Sequence, residues 1–363
     1  MKRLGSIQRL RVLAALSVTL FHAGQWSGLD FAVGAAGVDM FFVISGFVLW
    51  TATESRPVTP GGFLAARAAR VAPLYWIANL AVAALVLWRP RAMTMVHLAP
   101  LHMTLSMLFI PHQDPWGNPF PLLSSGWTLN YEAFFYLAFA VALAGPRERR
   151  LSVLSCILAA TAIGGFGYPD LYQLLANPML LEFLIGVGLA RLWTRGDLKR
   201  LDPRWGWAAA GLGALLLLGL QVGGVRSDFW RPLLWAPPVA LIVAGALTLE
   251  AAGPLRQGRT GRALEHLGDA SYSLYLCQLP VVSVLAWLTP GLAPWIRAPL
   301  GFGLSVVAGL LCYRLVERPI GRALPRLGSA LGRYRRAWAL HRHGRGLGPP
   351  EQEALSAVDP DLA

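Results

Sequence analysis

Eleven apolar runs separated by short polar loops take up most of this 363-residue chain. They lie at roughly 6–24, 33–50, 71–88, 98–110, 127–145, 151–167, 172–193, 205–224, 232–250, 270–289 and 296–316. A helix needs about 20 apolar residues to cross the hydrocarbon core of a bilayer. Ten of the runs approach that length; the fourth, "LAPLHMTLSMLFI", has about 13 residues and falls short. Lipid offers no partner to backbone N–H and C=O groups, so only helices and closed barrels span it. A barrel would read as short alternating strands, and the sequence does not have that pattern. The composition agrees, with 55% hydrophobic and only 14% charged residues against about 25% charged in a soluble domain. The expected fold is therefore all-α, a polytopic integral membrane helix bundle.

Charge placement orients it. With the N-terminal "MKR" in the cytoplasm, the loops at 51–70, 146–150, 194–204 and 251–269 fall on the arginine-rich side if the fourth run does not cross. The loops at 25–32, 165–171 and 290–295 then lie outside and carry no Lys or Arg. Arg89, Arg91, Arg226 and Arg231 are exceptions. This count predicts about ten crossings, both termini cytoplasmic, and a short re-entrant or interfacial fourth segment in the 89–126 connection. Arg9 and Arg11 interrupt what would be the apolar region of a signal peptide, so a retained first helix is expected.

The net charge of +13 sits in the inner loops and the tail, which suits anionic lipid rather than nucleic acid. Residues 1–320 form the expected membrane domain. Residues 321–363 form a basic cytoplasmic tail, in part amphipathic and disordered at its end. Cys156, Cys277 and Cys312 all lie in apolar runs without metal-ligand spacing, so neither a disulfide framework nor a metal site is expected.

Ionisable residues within the runs carry the functional signal, because a charge at a helix centre costs about 2.5–3.5 kcal/mol on insertion. Arg11 and His22 stand eleven residues apart, close to three turns, so they share one face about 16 Å apart. Asp39, near the outer third of the second run, is expected at the depth of His22, where a carboxylate would orient the imidazole. Glu132, about five residues into "SSGWTLNYEAFFYLAFA", is expected at the same depth, and Glu182 is a further intramembrane carboxylate. Arg67 and Arg70 are three apart on one helical face, a spacing that suits a phosphate or pyrophosphate. Bland readings stand beside these: arginines snorkelling to the inner interface, and Asp39 as a helix-start carboxylate partly in water. Ser45 and Gly46 read as close-packing residues.

The motifs "IQRLRVLAALSVTLFH", "GAAGVDMFFVISGF", "RAAR" followed by "VAPLYW", "GWTLNYEAFFY", "LGDASYSLYL" and "VERP" occur in the order of the membrane acyltransferase-3 family, which the chain resembles over roughly residues 5–320. The "SIQRLR" opening and "TLNYEAFFY" resemble its exopolysaccharide O-acetyltransferase branch. The resemblance implies an acyltransferase of the bacterial inner membrane. Its donor would be acetyl-CoA and its acceptor a hydroxyl of an exported or envelope polysaccharide or glycan-lipid. It further implies that Arg11 and His22 are the R-x10-H pair, and that Arg67 and Arg70 are the R-x-x-R pair associated with the donor. Where family members often carry a histidine, this chain has Gln278, which hydrogen-bonds but cannot titrate.

These expectations combine into one scheme. Arg11, Arg67 and Arg70 bind the donor, and His22 acts as general base, held by Asp39 or Glu132. Intramembrane His, Asp and Glu also build proton relays, so the residues by themselves leave a proton-coupled transporter open.

Overall fold

The computed structural model describes residues 4–94, 96–165, 174–225, 231–253 and 258–324. Every regular element among them is helical. Twelve α-helices follow in chain order: α1 Gly5–Gln25, α2 Ala36–Ser55, α3 Pro60–Trp88, α4 Pro100–Met107, α5 Trp127–Ala144, α6 Arg150–Gly164, α7 Leu180–Arg195, α8 Pro203–Val222, α9 Arg231–Ala252, α10 Arg259–Asp269, α11 Ser271–Leu288 and α12 Pro294–Cys312. The chain divides into two units, Met1–Tyr313 and Arg314–Ala363. The first is the helix bundle. The expected amphipathic tail lies outside the described residues from 325 onward.

Seven helices, those containing α2, α3, α5, α8, α9, α11 and α12, are long and apolar enough to cross a membrane. The expected ten crossings would also require α1, with its two arginines, and α6 and α7, which have 15 and 16 residues. The apolar surface is consistent with a lipid environment. The α8 span has a mean hydropathy of 1.5, yet only 11% of it is buried inside the protein, an exposure that water would penalise.

Local chemistry sets several boundaries. Thr59 caps α3 by accepting the Gly62 N–H at 3.2 Å, with Pro60 at the first helical position. That cap starts α3 eleven residues before the apolar run, so Arg67 and Arg70 are helical rather than part of a loop. Asp202 caps α8 in the same way, accepting from Arg204 N at 2.8 Å. Gly196, at φ 79°, closes α7 in the left-handed region. Helix α10 is charged and amphipathic, so a search for apolar runs passes over it. Helix α7 begins at Leu180, later than the run that started at 172, because Asn177 and Pro178 form a turn before it.

The fourth segment, expected to be re-entrant or interfacial, packs against α3. Its helix α4 ends at Met107, whose carbonyl accepts the Trp76 indole N–H at 2.7 Å. The Phe109 ring lies 4.7 Å from that of Tyr75. Trp76 is twelve residues before the end of α3, or about 18 Å along its axis, so the segment reaches back along α3, with Trp76, Leu108 and Ile110 remaining exposed. The turn puts Phe109 at φ 58°, the left-handed region that costs a non-glycine residue about 1–2 kcal/mol.

Helix α1 is central, packing against α2, α9, α10, α11 and α12. It runs antiparallel to α2 at close range: a Cβ on Gly34 would come 2.5 Å from the Ser17 carbonyl oxygen, and one on Gly37 would come 2.3 Å from that of Ala14. The α2–α7 seam is equally tight. A Cβ on Gly46 would meet the Phe183 carbonyl oxygen at 2.0 Å, and one on Gly186 that of Val43 at 2.0 Å. Small residues that let backbones approach are the usual adhesive where lipid removes the hydrophobic drive. Glu250 of α9 caps the start of α1, accepting the Gly5 and Ser6 N–H groups at 2.8 and 2.7 Å.

Candidate functional site

A cavity of about 350 Å³ opens among five helices. Gln8 and Arg11 enter it from α1, Ser45 from α2, and Arg67 and Arg70 from α3. Glu132 and Tyr136 enter from α5, and Tyr272 and Tyr275 from α11. Three arginines from two helices therefore share one cavity with a carboxylate. The three-residue spacing of Arg67 and Arg70 puts both on one side of α3. Arg67 is steadied by the Phe63 ring, 6.0 Å from its guanidinium carbon, and its Nε is buried without a hydrogen-bond partner. Buried polar groups are nearly always satisfied, so this donor is available to a ligand in the cavity.

Glu132 is held on both sides. Ser45 Oγ donates to its Oε1 at 3.0 Å and the Tyr136 hydroxyl donates at 2.5 Å. The sequence reading of Ser45 as a packing residue is thereby refined, since its hydroxyl fixes a carboxylate. Tyr275 donates to the Ser125 carbonyl at 3.0 Å and pairs with the Thr128 hydroxyl at 2.8 Å, while Tyr272 donates to the Val71 carbonyl at 2.9 Å. These tyrosines belong to "YSLYL", and their helical spacing within an apolar run was the available signal. A second, mainly apolar and open chamber of about 430 Å³ shares Arg67, Glu132 and Tyr136 with the first and is lined in part by the stretch after α4, Leu108–Pro111.

The structure separates the other two residues expected to handle protons. Ser45 and the α1–α2 register place Glu132 and Asp39 deeper than the sequence suggested. With Gly37 on Ala14 and Gly34 on Ser17, Asp39 stands opposite Val12, not His22. The reason is that the chain after α1 folds back along it, so α2 starts inside the bundle and the last turns of α1 project past its first residue. Asp39 is fully buried and pairs with Arg231 of α9, whose two nitrogens reach its oxygens at 2.7 and 3.4 Å. Arg231 also donates to the Ala35 carbonyl at 2.8 Å. Buried Glu182 adjoins Asp39, so a second carboxyl group, from α7, stands beside the pair formed by α2 and α9. Arg231, an exception to the charge count, is thus accounted for by its partner.

His22 lies outside the lining of the arginine cavity, about 16 Å along α1 from Arg11. Its Nδ1 is 3.4 Å from Gln25 Oε1, and its ring packs 4.8 Å from that of Phe21. Between the two levels lies Gln278, one turn beyond Tyr275 on α11. It is fully buried, with both polar atoms of its carboxamide lacking a hydrogen-bond partner. Among the described residues, no three His, Cys, Asp or Glu side chains come together as a metal site.

Comparison with known proteins adds chemistry to this geometry. A family described as an acyltransferase domain matches residues 4–314. The exopolysaccharide production protein ExoZ of Rhizobium meliloti (strain 1021) is 37% identical over 313 residues, covering 84% of this chain and 94% of the relative. The acyltransferase MdmB of Streptomyces mycarofaciens is 26% identical, covering 89% of this chain and 93% of its own. The peptidoglycan O-acetyltransferase OatA of Listeria monocytogenes is 23% identical, covering 88% of this chain and 56% of its own. No solved structure matches.

Proposed function

Because the chain belongs to the acyltransferase-3 family and is an acyltransferase of the membrane, we propose that it transfers an acyl group, acetyl in the simplest case, from acyl-CoA to a hydroxyl of an exported or cell-envelope polysaccharide. The observation that carries this reading is the convergence of Arg11, Arg67, Arg70 and Glu132 in one cavity. Guanidinium groups are suited to multiply charged phosphates, and the unpaired Arg67 Nε supplies a donor with no internal use. The names of the relatives, an exopolysaccharide production protein and a peptidoglycan O-acetyltransferase, support a glycan acceptor.

In this scheme Arg67, Arg70 and Arg11 hold the donor's phosphates at the cytoplasmic face of the inner membrane, with both termini on that side. The pantetheine arm, whose extended length is of the order of the Arg11–His22 rise, runs outward between α1 and α11. The orphaned carboxamide of Gln278 is placed to bond its amides. At the far end the imidazole acts as base. With Nδ1 protonated and donating to Gln25, Nε2 keeps its lone pair. The acceptor O–H gives its proton to Nε2, and its oxygen attacks the thioester carbonyl. The C–S bond then breaks, and the proton passes from the imidazolium to the leaving thiolate. Gln25 takes the orienting role that the sequence suggested for Asp39 or Glu132. Glu132 instead shapes the electrostatics of the donor cavity.

Purified protein in liposomes, given acetyl-CoA with and without glycan, tests the reading. Release of free CoA thiol should rise with glycan and be matched by acyl groups on it. Thiol release without glycan acylation would contradict polysaccharide transfer.

A further inference from the structure

At the His22 end of α1 lies another open cavity of about 400 Å³. Its walls are Phe21 and Gln25 from α1, Asp30 and Phe31 from the following loop, and Arg231 and Trp235 from α9. It shares no lining residue with the arginine cavity. We infer that this cavity is the acceptor subsite and takes a pyranose unit of the glycan, an inference that rests on the acyl-transfer reading above.

Three observations carry it. The first is chemical. A sugar ring has an apolar C–H face and a rim of hydroxyls that both donate and accept. The cavity offers aromatic rings from α1, the loop and α9 together with a carboxylate, a carboxamide and a guanidinium, so both kinds of surface are met.

The second is position. Gln25 both lines the cavity and holds the His22 ring through Nδ1. His22 does not itself line the cavity, so a sugar seated against Gln25 is separated from the imidazole by that one hydrogen-bonded carboxamide.

The third is pre-organisation. Gly28, at φ 77°, turns the chain so that the Leu29 N–H returns to the Gly24 carbonyl at 2.9 Å, which ties the loop carrying Asp30 and Phe31 back onto α1. The Val33 N–H donates to Gln221 Oε1 of α8 at 2.8 Å, fixing the other end of that loop. On the facing wall, the Asp39 pair and the Ala35 carbonyl lock Arg231, and its guanidinium lies 4.9 Å from the Trp235 ring. The buried Asp39–Arg231 pair thus acquires a purpose, because it sets a cavity wall in place before the ligand arrives.

The test uses full-length protein in detergent, with soluble gluco-, galacto- and mannopyranose tetrasaccharides as probes. Saturation-transfer NMR reads saccharide binding, and calorimetry reads CoA binding separately. Wild-type protein is expected to bind at least one tetrasaccharide. Asp30→Asn and Phe31→Leu are each expected to weaken that binding at least tenfold while leaving CoA binding unchanged. Absence of binding by wild type, unchanged binding in either variant, or parallel loss of CoA binding in both would overturn the assignment. Wild-type protein that binds saccharide without acylating it would leave the subsite standing and remove the acyl-transfer reading.

Discussion

Asp39 and Arg231 meet in a buried bidentate pair, 2.7 Å at the shorter contact, with the carboxylate fully shielded and the guanidinium side chain 14% exposed. Removing one partner strands the other charge, which in buried pairs costs about 3–5 kcal/mol, whereas replacing both by apolar residues is often tolerated. Asp39→Leu and Arg231→Met should therefore each lower the thermal stability of the detergent-purified protein sharply, and the double variant should recover much of the loss. Additive losses in the double variant would show that the two do not act as a pair.

Glu250 should matter for the placement of α1. It accepts two of the four N–H groups that any helix start leaves unpaired, and it puts negative charge at the positive end of the helix dipole. Glu250→Ala is expected to destabilise the protein by about 1–2 kcal/mol, and hydrogen exchange should show faster opening over residues 5–9. Unchanged exchange there would show that the cap is dispensable.

The donor reading predicts that Arg67→Ala weakens CoA binding at least tenfold, about 1.4 kcal/mol. Arg67→Lys should fail to restore it, since a point charge lacks the planar fork that matches phosphate oxygens. Calorimetric titration with CoA checks both. Wild-type affinity in the lysine variant would reduce the role of Arg67 to simple charge.

Much of this was readable in advance. Helix type, the shortness of the fourth segment and the Arg67–Arg70 face follow from run length and helical spacing, which are local properties. The depth of Asp39 was not readable, because spacing along α2 says nothing about how far α2 starts below the tip of α1. That register is set by Gly34 and Gly37 against the α1 backbone. Glu250 escaped notice and Arg231 stood as an unexplained exception to the charge count for a similar reason, since their partners are 245 and 192 residues away in sequence. His22 and Arg11 do share a helix, but only the fold reveals that Arg11 lines the arginine cavity and His22 does not.

Asp114, in the connection after α4, gives a pH prediction. Burial alone would raise its carboxyl, but hydrogen bonds from the Asn118 side chain and from the Asn118 and Trp116 backbone outweigh that and hold it below its ordinary value of 3.8. Its contribution to order in the loop is thus complete above pH about 4 and is lost as pH falls through the depressed value. Limited proteolysis of residues 110–121 should accelerate at strongly acidic pH in wild type, and the Asp114→Asn variant should show a weaker pH dependence. The same pH dependence in both would assign the loosening to other groups.

The central claim is that one protein binds an acyl-CoA among arginines and delivers the acyl group to a glycan hydroxyl at His22. The most direct measurement is transfer of radiolabelled acetyl from acetyl-CoA to glycan in proteoliposomes, comparing wild type with His22→Ala. Labelled glycan is expected with wild type. With His22→Ala, transfer should fall at least a hundredfold while CoA binding and membrane insertion stay intact. Undiminished labelling by the His22→Ala protein would contradict the account.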